Sequence, residues 1–158
     1  MSGALRIVAL AALLFGAIAL GACGGDDSRD AKNAYVRQVN AAQTGFANTV
    51  STVSQEITPK SSARQDRRTL QRFQSAIEDV VKQLRGIEVP TDVEAEHKQL
   101  ISAMTGFGSE IRKATAVLRN PTTRTVDEAR RTIATASQTV NGQIDAAIAA
   151  INSKLRET

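Results

Sequence analysis

The sequence predicts an all-α fold, an antiparallel up-down-up-down four-helix bundle, on three observations. Apolar residues recur at alternating steps of three and four through four consecutive segments, the spacing that lines one face of an α-helix. Pro59, Pro90 and Pro121 stand between those segments, each at a point where a helix must stop. Ala, Gln, Arg and Glu fill the intervening positions and no alternation of period two persists, so strands have no support. Four helices of about 25 residues, each roughly 38 Å long and joined by short loops, pack most simply up and down.

The first helix is expected to begin near Ser28 or Asp30. It carries the stripe Val36, Val39, Phe46, Val50, Val53 and Ile57, with Gln43 as a polar interruption. The second is the most regular, with Leu70, Phe73, Ile77, Val80, Leu84 and Ile87. Along the third run Val93, His97, Leu100, Met104, Phe107 and Ile111, continued by Ala114 and Leu118. The fourth uses Val126, Ile133, Val140, Ile144 and Ala147 or Ile148, then Ile151 and Leu155. After each proline break comes a hydroxyl residue followed three later by Glu or Gln: Ser62 with Gln65, Thr91 with Glu94, and Thr125 with Glu128. That spacing is a capping box, in which the two side chains satisfy helix N-terminal amides. Gly45, Gly106, Gly108 and Gly142 fall inside predicted helices, at a cost of up to about 1 kcal/mol each relative to Ala. They allow close helix approach or a local bend; a break at Thr105-Gly106-Phe107-Gly108 is the alternative, against which the apolar stripe continues in phase.

Before the bundle lies a different kind of segment. Arg6 precedes an apolar run of 14 residues from Ile7 to Leu20, and the small residues Gly21 and Ala22 lead into Cys23. Such a run is short for a bilayer span, which needs about 20 residues, and has the three-part order of a cleaved signal peptide. Leu20-Gly21-Ala22-Cys23 resembles the lipobox of bacterial lipoproteins. The resemblance implies cleavage before Cys23, a lipid on its sulfur, and an extracytoplasmic, membrane-anchored chain. With its Ala- and Arg-rich helical body, the chain is similar to the small helical lipoproteins of high-GC Gram-positive bacteria, and no binding or catalytic residue carries over from that resemblance. The expected organisation is a signal peptide over 1–22, a lipidated cysteine and flexible tether over 23–29, and the bundle over 30–158.

Removing 22 of the 158 residues leaves 136, enough for one domain with its own core. Only Arg6 is lost from the 20 Lys and Arg, so 19 remain against 16 Asp and Glu, a formal +3. That mild excess argues against nucleic-acid binding, which needs a strong basic footprint. The absence of Trp and the scarcity of aromatics exclude base-stacking or sugar-stacking platforms. Cys23 is the only cysteine, so no intrachain disulfide forms.

Catalytic chemistry has little to work with, and no catalytic residue, metal site or cofactor is assigned. His97 is the sole histidine and sits on an apolar stripe, where a structural role is expected. The carboxylates Glu78-Asp79, Glu94 with Glu96, and Asp127-Glu128 diverge on a helix, and two of these groups complement helix N-termini. Basic residues instead gather at one end of the expected bundle. Lys60, Arg64, Arg67, Arg68 and Arg72 follow the first turn, and Arg124, Arg130 and Arg131 follow the third. Arg64, Arg68 and Arg72, at spacing four, lie opposite Leu70, Phe73 and Ile77. With Cys23 at the membrane, this end points outward, a candidate contact for an envelope protein or an anionic wall polymer.

Three functions follow in order. The first is a noncatalytic lipid-anchored interaction module or spacer. The second is a binding protein for an apolar or amphipathic small molecule held within the bundle, with Gln43 and His97 as polar contacts. The third is an enzyme acting on envelope components.

Overall fold

Hydroxyl caps set where two of the helices begin, and apolar stripes set what all four bury. The structure, a computed structural model, describes residues 27–58 and 60–157. The Cys23 motif, the apolar run, the tether up to Asp26 and the Pro59 break lie outside the described residues. Helix α1 spans Asp27–Glu56, α2 Ala63–Arg85, α3 Glu94–Val117 and α4 Thr123–Glu157, with a 3-10 turn over Thr91–Val93 ahead of α3. Residues 27–29, expected in the tether, are therefore helical. No strand occurs among the described residues.

Of the three capping boxes, one forms where expected. Ser62 caps α2 and its Oγ accepts from the Gln65 amide at 3.3 Å. Thr91 does not cap α3: the chain leaves Pro90 into the 3-10 turn, so α3 starts at Glu94 behind Val93, which has no side-chain cap. At α4 the cap lies three residues upstream of Thr125. Thr122 Oγ1 accepts from the Thr125 amide at 3.2 Å, and Thr125 Oγ1 in return accepts from the Thr122 amide at 2.8 Å. A threonine thus plays the part expected of Glu in a reciprocal box.

The helices form a bundle in which α3 packs against both α2 and α4, and α1 against α2. Every residue expected on the α2 and α3 stripes is buried. The α1 and α4 stripes are buried along most of their length, while Val53, Ile57, Val126 and Ile133 are only partly covered. At the centre, Phe46 of α1 stacks on Phe73 of α2 at 5.9 Å between centroids. Phe107 of α3 meets both rings edge-on, at 6.5 and 5.6 Å, the geometry aromatic quadrupoles favour. Helix α3 is continuous through its glycines. A Cβ on Gly108 would lie 3.2 Å from Ile77 Cγ2, so this glycine permits the close approach of α2 and α3. The buried apolar side chains run from Tyr35 to Leu155. The described residues thus contain a hydrophobic core of their own, the requirement for a unit that folds alone.

Candidate functional site

Arg64, Arg68 and Arg72 are exposed along α2 while Leu70, Phe73 and Ile77 of the same helix are buried. Not all the basic residues remain available as charge. Arg72 forms an ion pair with Glu56, whose same oxygen accepts from Thr69 Oγ1 at 2.9 Å. This tie fastens the end of α1 to α2. Arg67 is half-buried with its Nε enclosed and unbonded, so it does not share the exposed face. Arg130 is also half-buried, with Asp127 at 4.0 Å. Lys60, Arg64, Arg68, Arg124 and Arg131 are exposed and make no ion pair among the described residues.

The two basic turns open onto separate recesses. A cleft of about 630 Å³ between α1 and α2 is lined by Glu56, Gln65, Arg68, Thr69 and Arg72. A groove of about 590 Å³ runs between α3 and α4. Ala103, Gly106 and Phe107 contribute to its α3 wall, Arg131, Thr135 and Val140 to its α4 wall. The basic residues therefore serve two recesses.

At the opposite end of α3 lies a buried polar cluster. His97 Nε2 is 2.9 Å from the Leu84 carbonyl. A carbonyl only accepts, so Nε2 carries the proton, and in the neutral ring Nδ1 accepts from the Tyr35 hydroxyl at 3.1 Å. The ring therefore links α1, α2 and α3. Burial pushes the His97 pKa below its ordinary value, opposed by the Leu84 bond. Burial raises the Tyr35 phenol strongly, helped by the negative charge of Glu96. Glu96 is held below the usual carboxylate range, first by the Lys154 ammonium bonded to it. Lys154 Nζ is 2.8 Å from Glu96 Oε1 and joins the end of α4 to the start of α3. Both His97 nitrogens are thus engaged within the protein, leaving neither for a ligand. Gln43 is buried with its Nε2 unbonded.

No protein-family model, curated protein or solved structure matches the chain. Among the described residues no group of three or more His, Cys, Asp or Glu could hold a metal ion. No described helix is long and apolar enough to cross a membrane. Two features were missed in the sequence. Tyr35 sits one position off the α1 stripe, although a lone tyrosine beside apolar residues signals a buried hydroxyl needing a partner. The α3/α4 groove was signalled by Thr132, Thr135 and Thr139, which share a face of α4, and by the bare Gly106 opposite.

Proposed function

We propose that this protein is a noncatalytic, lipid-anchored cell-envelope protein whose helical domain is an interaction module or spacer. The observation that carries this reading is Leu20-Gly21-Ala22-Cys23 at the end of a 14-residue apolar run, the order of a lipoprotein signal peptide. In this reading the four helices run up and down. Support comes from contacts that bring the end of one helix to the start of its neighbour: Glu56 at the end of α1 with Thr69 of α2, Leu84 at the end of α2 with His97 of α3, and Lys154 at the end of α4 with Glu96 at the start of α3.

With α1 rising from the anchor, the turns after α1 and α3 lie at the outer end. The exposed Lys60, Arg64, Arg68, Arg124 and Arg131, which make no ion pair among the described residues, then form the contact surface for an envelope protein or anionic wall polymer. Metabolic labelling with a clickable palmitate analogue tests the anchor. The wild-type chain is expected to carry label and to sediment with membranes, and Cys23→Ser to lose both. An unlabelled wild-type chain overturns the reading. Replacing Lys60, Arg64 and Arg68 with Gln tests the outer surface: envelope association should weaken and lose its salt dependence, and unchanged association removes this surface from the function.

A further inference from the structure

The groove between α3 and α4 has an asymmetric chemistry. Arg131 stands on its α4 wall, exposed and without an ion pair among the described residues. Glu110 on the facing wall is already neutralised by Lys113 at 2.6 Å. From Arg131 to Gln143 the α4 wall extends 12 residues, roughly 18 Å of helix. Along that length the remaining lining is uncharged: Ala103, Phe107, Ala136 and Val140 supply apolar surface, and threonines supply the rim. The hydroxyls of Thr132, Thr135 and Thr139 make no hydrogen bond among the described residues. By contrast, Thr105 and Thr115 of α3 are both bonded back to the carbonyl four residues earlier. Gly106 adds free space, since a Cβ there meets no atom within 4 Å. The volume of about 590 Å³ lies in the usual range of small-molecule sites, about 300 to 1,000 Å³.

We propose that this groove binds a single-chain, monoanionic amphiphile of the fatty-acid type, its carboxylate at Arg131 and its apolar chain extended over Phe107 and Val140. One unpaired cation at one end, followed by a neutral trough, complements one anionic head and one apolar tail. A polyanion would need further cations along the 18 Å or so, and a neutral lipid would leave Arg131 unused. The Thr135 hydroxyl, one turn beyond Arg131, completes the head site by donating to the carboxylate. The proposal is independent of the lipid anchor, because it concerns binding by the helical domain alone.

The test uses residues 27–158, which carry that hydrophobic core, with decanoate and decanol as probes and thermal-midpoint titration as the readout. Decanoate is expected to raise the midpoint in saturable fashion. Arg131→Gln should weaken decanoate about threefold to tenfold and leave decanol unchanged. Gly106→Leu places a bulky side chain in the trough from a position where an added Cβ meets no atom within 4 Å, so it should abolish both responses while the variant itself melts no lower than wild type. No saturable response to decanoate, or a response unaffected by Gly106→Leu, overturns the proposal. So does a wild-type dimer that Gly106→Leu converts to a monomer without any decanoate response, which would assign the groove to a second copy of the chain. Each of these failures leaves palmitate labelling at Cys23 untouched, so the two readings fall separately.

Discussion

Tyr35, His97 and the Leu84 carbonyl form a chain of two hydrogen bonds through three helices; the Tyr35 end depends on the histidine staying neutral, because a protonated Nδ1 no longer accepts, while Nε2 donates to Leu84 in either state. Tyr35→Phe would keep the packing and strip Nδ1 of its donor, leaving a buried acceptor unsatisfied. A loss of about 1 to 3 kcal/mol is expected, read from urea unfolding. The pH dependence has a definite sign. The unfolded ring takes up a proton near the ordinary value of 6.5 while the folded ring resists it. Stability is therefore complete above that value and falls as pH drops through it toward the lower folded value. His97→Gln, whose amide can donate to Leu84 and accept from Tyr35, should flatten the stability profile as pH falls below the ordinary 6.5. Glu96 acts in a lower window: its contribution is present above the ordinary 4.5 and disappears as acid protonates the carboxylate. Caps act at the same scale. Ser62→Ala and Thr122→Ala should each cost about 1 kcal/mol; measured losses near zero would remove these bonds from the account of where α2 and α4 begin.

The helical elements were more legible than their ends. The stripes of α2 and α3 could be read residue by residue, because burial on one face imposes a 3.6-residue period that few other arrangements produce. The starts of α3 and α4 were not, because hydroxyl residues crowd each break and sequence does not say which one adopts the cap geometry. Pro90 diverts the chain into a 3-10 turn, and Thr122 lies closer than Thr125 to the Pro121 break. Glycines show the same division between pattern and environment. Gly106 and Gly108 look alike in the sequence, yet only Gly108 has a neighbour at 3.2 Å. Gly106→Ala should stabilise α3 by up to about 1 kcal/mol through helix propensity. Gly108→Ala should gain less or turn destabilising, as Ile77 must give way. Equal midpoints for the two variants would refute this distinction.

At the scale of the whole molecule, three buried phenylalanines join α1, α2 and α3 at one point. Phe73 is buried among Phe46 and Phe107, so Phe73→Ala should cost about 3 to 5 kcal/mol. Against a typical domain stability of about 5 to 15 kcal/mol, that loss would lower the unfolding midpoint sharply in calorimetry. The arrangement of the candidate surfaces was the least legible level. Helix order alone leads to the expectation that the basic residues share one end, but the distribution of Arg68 and Arg72 to an α1/α2 cleft and of Arg131 to an α3/α4 groove depends on the side each helix turns to its neighbour. The withdrawal of Arg67 and the Arg72 pairing with Glu56 depend on the same three-dimensional detail.

The lone tyrosine also has a practical consequence. With no tryptophan in the chain, Tyr35 is its sole strong intrinsic fluorophore, fully enclosed at the junction of three helices. Its emission is a label-free optical clock for the separation of α1 from α2 and α3, and stopped-flow recording of that one signal would time the opening of the bundle at a known place.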